Sequence, residues 1–303
     1  MTDPSQFDRT RTMPASDTIT DPPGRHRGAL TDALRFLFPP GYRPVPSASP
    51  TLDRAARWFV PLGLVVGLLW AIVFRVTWRL FGETGNLRVV PALSVVLLEC
   101  LFTGPFLAMG LARTAHLLTG ERPRRDEMDR WTPLSPVGTL VLILTLISQY
   151  VFIVSIPAVA PWWPTPADWR SHFNFVYPQP IYRPLLLAPL WGRWALLLAA
   201  TIGRPGHDAD ADTVALCRSM SPRRLILAAI LPMVLTAIYC SRSRNFLIGI
   251  IIGMLVFGAS FLVAVVMARR GGGQTRPSLF ACGQIAQLAL LALYRAFWPI
   301  IHG

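Results

Sequence analysis

The chain has 303 residues, of which 52% are hydrophobic and only 15% charged. Long apolar runs recur along it and its mean hydropathy is positive, which excludes an ordinary soluble globule. The formal net charge of +13 rests on arginine alone, since there is no lysine; because the arginines fall between the apolar runs, they read as membrane topology, and nucleic-acid binding is set aside.

Residues 1–27 are rich in Thr, Asp, Pro and Arg without periodicity and read as a disordered polar N-terminus. No apolar core lies within the first 56 residues, so no signal peptide is expected. Residues 28–57 read as an amphipathic segment and linker on the cytoplasmic face. Leu30, Ala33, Leu34, Leu37 and Phe38 can share one helical face, with Asp32 and Arg35 elsewhere, as in a helix lying on a leaflet. Residues 58–303 form the transmembrane domain. Spanning a bilayer takes about 20 apolar residues, and the candidates are 58–78, 89–110, 134–156, 182–202, 225–240, 246–268 and 279–298. The fifth is short and contains Pro232. No internal repeat and no broken-helix pair is read from the pattern. The expected fold class is therefore all-α, a polytopic transmembrane helical bundle of about seven spans.

Twenty arginines lie in the N-terminal segment and the 2–3, 4–5 and 6–7 loops, against eight in the remaining connections and the C-terminus. Positive segments stay inside, so the N-terminus is expected in the cytoplasm of a bacterial-type inner (plasma) membrane, with the lipid bilayer as the first partner. The 157–183 connection, dense in Trp, Tyr, Phe and Pro, reads as an interfacial anchor on the outer side, with a ring-binding platform as the sharper alternative. Cys100, Cys217, Cys240 and Cys282 have no paired spacing and read as small hydrophobic residues.

Charged residues within the spans are few, and Arg75, Glu99 and Arg193 are the ones considered as candidates. Such charges are costly in a bilayer and are functional candidates by default. Arg75 can snorkel from its span end. Glu99 and Arg193 sit mid-span, where they either neutralise each other or face a polar pocket. On the cytoplasmic side, HDADAD (residues 207–212) sets Asp208, Asp210 and Asp212 in alternation. These carboxylates either form a solvated acidic turn or hold a hard cation. No nucleophile elbow, zincin helix or Walker loop is present.

Several stretches together carry a family resemblance. ALRFLFPPGYRPVP, AARWFVPLGLVVGLL, LLLAPLWGRWALLL followed by GRPG, and MARRGGGQT stand in the order and spacing of the cobalamin synthase family, the adenosylcobinamide-GDP ribazoletransferases, and the chain resembles that family over about residues 28–294. The resemblance implies a multi-pass membrane enzyme that joins α-ribazole to adenosylcobinamide-GDP with release of GMP in a Mg²⁺-dependent reaction. The family's motif, Leu-x-Asp-Gly-Leu-Ala-Asp-Thr-Ala-Asp-Gly-Leu, corresponds here to LAMGLARTAHLL, residues 107–118. The glycine and small-residue framework stays, but Met109, Arg113 and His116 stand at the aspartate positions. Arg276-Pro277 replaces a Gly-Asp pair, and Gln284 and Gln287 replace two glutamates three apart.

Mg²⁺ binds hard anionic oxygens, and its charge is the main lever in phosphoryl transfer. Met109, Arg113 and Pro277 supply none, and Gln284 and Gln287 lack charge. Three readings follow. The first is a divergent member with impaired or lost catalysis, in which Arg113, His116 and Arg193 are the candidate binding residues for a corrinoid or nucleotide ligand. The second is an active transferase using relocated carboxylates among Glu99, Glu121, Asp126, Asp208, Asp210 and Asp212, with Mg²⁺ as its cofactor. The third is a small-molecule transporter. Whether the chain is an enzyme, and its oligomeric state, stay open at this level.

Overall fold

A computed structural model describes residues 28–38, 52–82, 88–102, 106–118, 134–157, 180–207, 209–240 and 246–302. The described elements are helical: α1 (Ala29–Leu37), α2 (Leu52–Ala55), α3 (Phe59–Thr77), α4 (Val89–Phe102), α5 (Phe106–Leu118), α6 (Pro136–Ser155), α7 (Tyr182–Ile202), α8 (Ala211–Ser219), α9 (Pro222–Tyr239), α10 (Leu247–Arg270), α11 (Arg276–Ala296) and α12 (Trp298–His302). Among the described residues six helices are long and apolar enough to cross a membrane, and seven spans result if α4 and α5 count as one.

Those two helices correct the expected single span over 89–110. Val89–Leu101 and Phe106–Ala115 meet at 78°, so the chain contains the broken-helix pair that its hydropathy did not reveal. Apolar content is continuous through the break, whereas Gly104 and Pro105 between the two helices are the residues least compatible with a continuous helix.

The bundle is organised around α7. Every residue from Tyr182 to Ala200 is buried, because α3, α9, α10 and α11 all pack on it. Peripheral helices are apolar on their outer faces instead: Leu140, Ile143, Leu144, Ile147 and Val151 of α6 are exposed at helical spacing, as expected of a lipid-facing stripe. Close approach of α3 to α7 depends on Gly63 and Gly67, one turn apart. A Cβ at Gly67 would lie 2.5 Å from the Leu186 carbonyl oxygen and 2.8 Å from its Cα, and one at Gly63 would lie 2.8 Å from the Pro189 oxygen. In a bilayer, where water drives no helix association, such small-residue contacts hold spans together by van der Waals packing. Polar side chains tie α7 to α9, with Trp191 Nε1 donating to Thr236 Oγ1 at 2.8 Å and Arg183 Nη1 to the Tyr239 carbonyl at 3.0 Å.

Helix α1 docks on this bundle through Ala33, Phe36 and Leu37, with Asp32 also buried, while Leu30 and Leu34 are exposed. The Phe36 ring stacks 5.3 Å from Phe59 and lies 6.0 Å from Phe280. The docked face is thus rotated from the one that periodicity selects, since an apolar stripe does not distinguish lipid from a protein groove. The GRPG and GGGQT stretches meet as a short parallel pairing: Gln274 N donates to the Arg204 carbonyl (2.7 Å) and Gly206 N to the Gln274 carbonyl (2.8 Å). Gly272 and Gly273 adopt positive φ (68° and 127°) there, a conformation that favours glycine.

Gly67→Ala is expected to cost about 1–3 kcal/mol by overpacking against the α7 backbone. Gly258→Ala, on an exposed face with nothing within 4 Å of the new Cβ, is expected to change stability little; thermal unfolding followed by fluorescence-detected size exclusion compares the two.

Candidate functional site

Two polar constellations arise from this packing. The first lies inside the bundle. Glu99 of α4, Gln149 of α6, Arg193 of α7 and Gln284 and Gln287 of α11 are all buried, Arg193 and Gln287 with no accessible surface. Gln149 Nε2 donates to Glu99 Oε2, and Gln284 Nε2 donates to Gln149 Oε1 at 3.2 Å. With its amide turned to satisfy both neighbours, Gln287 donates to Glu99 Oε1 (3.1 Å) and accepts from Arg193 Nη1 (3.2 Å). Gly192 makes this contact possible, because a Cβ there would lie 2.6 Å from Gln287 Cγ. Arg193 Nε and Nη2 have no hydrogen-bond partner, and the guanidinium carbon lies 5.9 Å from the centre of the Phe38 ring. Glu99 and Arg193 are therefore linked through an amide. Gln149 was missed by a search restricted to ionisable residues; an amide in the middle of an otherwise apolar span is the signal that marks it.

The second constellation is a cleft where α5 crosses the start of α11. It is narrow, about 20 Å³, and lined by Phe106, Met109, Gly110, Arg113, Arg276, Pro277 and Phe280. Gly110 permits the crossing, since a Cβ there would sit 2.5 Å from Phe280 Cβ and 2.8 Å from the Pro277 oxygen. The motif positions Met109 and Arg113, distant in sequence from Pro277, thus share one cleft. His116 lies in α5, but its side chain is outside the described residues. Helix α11 begins with a capping box between Thr275 and Ser278. Its first residue, Arg276, pairs with Asp210 Oδ2 at 3.3 Å, donates to the Phe36 carbonyl at 2.8 Å and stacks over the Phe36 ring at 4.6 Å. One arginine therefore holds α1, the segment before α8 and α11 together.

Of the carboxylates considered as relocated ligands, Glu99 is in the buried network and Asp210 is engaged by Arg276. Asp212 lies in the first turn of α8, and Glu121, Asp126 and Asp208 lie outside the described residues. Among the described residues no three His, Cys, Asp or Glu side chains gather where a metal could be held. A thioether, two guanidinium groups and a proline do not fit Mg²⁺, which takes hard oxygen ligands.

These features define a multi-pass helical membrane protein with a buried charged and amide-rich network and a basic cleft beside it. The profile of the cobalamin-5-phosphate synthase family matches residues 38–294, and the chain belongs to that family. It is similar to the adenosylcobinamide-GDP ribazoletransferase of Bradyrhizobium diazoefficiens (28% identity, covering 84% of this chain and 89% of the relative). The enzyme of the same name from Shewanella amazonensis is 25% identical, with 82% and 86% covered. That from Shewanella baltica is 34% identical over 37% of this chain and 42% of its own. No solved structure gives a significant match.

Arg193→Met is expected to strand Glu99 inside the bundle and cost about 3–5 kcal/mol, whereas adding Glu99→Gln should recover most of it. Thermal unfolding of the two single variants and the double variant in nanodiscs tests this coupling.

Proposed function

We propose that the protein is a membrane-embedded binding protein of the cobalamin-5-phosphate synthase family in which Mg²⁺-dependent ribazole transfer is impaired or lost. The observation that carries this reading is the cleft between α5 and α11. At the place where the family motif meets the start of α11, it presents Arg113 and Arg276 and no carboxylate. A guanidinium from Arg113, beside that of Arg276 with its pairing to Asp210, disfavours a divalent cation and favours a phosphate. In so narrow a cleft the phosphate of a corrinoid or nucleotide ligand would lie across the mouth, with Met109 and Phe280 beneath it. The twenty-to-eight arginine asymmetry supports placing the N-terminus in the cytoplasm. A bent pair such as α4–α5 is a feature that transporters use, but they build their sites from two such pairs in corresponding halves. Only one is found among the described residues, so the binding reading is preferred.

The test uses protein in nanodiscs with adenosylcobinamide-GDP and α-ribazole, with and without Mg²⁺, and product detection by mass spectrometry. No cobalamin product above a protein-free control is expected. Adenosylcobinamide-GDP should bind saturably, about 10–100-fold more weakly to Arg113→Ala, the loss of one charge-assisted contact, and unchanged in Arg79→Ala. Turnover above the control would sink the proposal and turn attention to Glu99→Gln and Asp210→Asn.

A further inference from the structure

The side chain of Arg276 is divided between two neighbours. Its Nη2 donates to the Phe36 carbonyl at 2.8 Å, and its Nη1 donates to Asp210 Oδ2 at 3.3 Å. The guanidinium carbon lies 4.6 Å from the centre of the Phe36 ring and 5.8 Å from that of Phe280, a wall of the α5–α11 cleft. Asp210 does not line that cleft, yet its carboxylate occupies the guanidinium that a phosphate there would need, so the two anions compete. Asp210 is also the N-cap residue of α8, a position where aspartate stabilises a helix by accepting from first-turn N–H groups. Here its side chain makes no capping bond. Its Oδ1 is buried without a hydrogen-bond partner, and so is the Oγ1 of Thr213, a fully buried residue in the same first turn. An acceptor and a donor three residues apart are thus both left unmade, which is costly and rare for buried groups. The chemistry of α8 favours this carboxylate on the helix start, and Arg276 draws it away.

We propose that Asp210 is an internal competitor that sets the anion affinity of the Arg113–Arg276 cleft. Without a ligand, its carboxylate neutralises Arg276. When an anion takes Nη1, the carboxylate turns back onto α8, where it accepts from the first-turn N–H groups and the Thr213 hydroxyl. The exchange needs a side-chain rotation of Asp210 alone, since Nη2 keeps its bond to the Phe36 carbonyl and α1 stays docked. This inference rests on the reading of the cleft as a phosphate site.

The test titrates inorganic pyrophosphate, free of divalent metal, into the full chain in phosphatidylcholine nanodiscs by isothermal titration calorimetry. Asp210→Asn keeps the shape of the side chain and its capping ability, and is expected to bind about tenfold more tightly than the unaltered protein, the size of one charge-assisted contact released. Asp210→Glu keeps the charge and should bind no more tightly than the unaltered protein. Thr213→Val removes the hydroxyl that receives the displaced carboxylate and should weaken binding about threefold, the size of a modest net hydrogen bond. Asp210→Ser, uncharged and equally able to cap a helix, repeats the comparison if thermal unfolding shows that Asp210→Asn is not folded. Arg113→Ala tells the two proposals apart. Where it weakens pyrophosphate binding, the cleft is the site, and equal affinity of Asp210→Asn and the unaltered protein then overturns the competitor role alone. An unchanged affinity in Thr213→Val overturns the return to the α8 cap. Binding that is insensitive to Arg113→Ala, or absent from every form, overturns the cleft reading and this inference with it.

Discussion

A guanidinium with no accessible surface in the middle of a membrane helix constrains everything around it. Neither water nor lipid can solvate Arg193 at that position, so its charge must be balanced from within the bundle. The structure supplies Glu99 through Gln287, and with it a requirement that α4, α7 and α11 meet at one level. Gln149 and Gln284 extend the same requirement to α6. Apolar packing alone leaves helices in lipid free to slide and rotate, since one leucine face serves as well as another. Hydrogen bonds between named groups fix register, and here they do so for four helices at once.

Small residues and the buried network depend on each other. The amide of Gln287 reaches both charged groups only because Gly192 leaves room beside it, and α3 reaches α7 only because Gly63 and Gly67 carry no Cβ. At the other end of α11, Arg276 plays the corresponding part. It draws the C-terminal carbonyls of α1 and the carboxylate of Asp210 onto the start of α11, next to the pairing of Gln274 with the GRPG stretch. The helix that carries the glutamines is thereby fixed both in the middle and at its start, which positions the basic cleft between those points.

Much of this was legible in the sequence, and the failures have physical causes. Helical class and the membrane spans follow from apolar run length, which composition reports directly. The break between α4 and α5 does not, because hydropathy averages over a window and registers neither the missing donor of Pro105 nor the freedom of Gly104. For α1, periodicity identified an amphipathic helix but not which face docks, since Phe36 against Phe59 and Phe280 is a tertiary choice. Motif comparison aligned Met109, Arg113 and Pro277 along the chain; that they line one cleft emerges only when α5 crosses α11 at Gly110. A search for charges found Glu99 and Arg193 but passed over Gln149, although a neutral amide in hydrocarbon needs a partner as surely as an ion does.

Charge balance connects the two constellations. The family resemblance implies glutamates where Gln284 and Gln287 stand, and with Glu99 those would put three carboxylates around the single guanidinium of Arg193. Such a cluster carries an excess of negative charge that a bilayer interior tolerates only if cations or protons neutralise it. With glutamines, one carboxylate is set against one guanidinium and three amides bridge around them, so the network is neutral without help, although Arg193 Nε and Nη2 keep no partner. The cleft differs from the implied pattern in the opposite sense, with Met109 and Arg113 beside Arg276 where the resemblance implies aspartates. On the proposed reading both differences lessen the demand for a divalent cation, one through fewer negative charges within the bundle and the other through positive charge near its surface. Gln284 and Gln287 are each tied by hydrogen bonds to named partners in the network, so these two positions are held to a particular arrangement even though Arg193 Nε and Nη2 stay unpartnered.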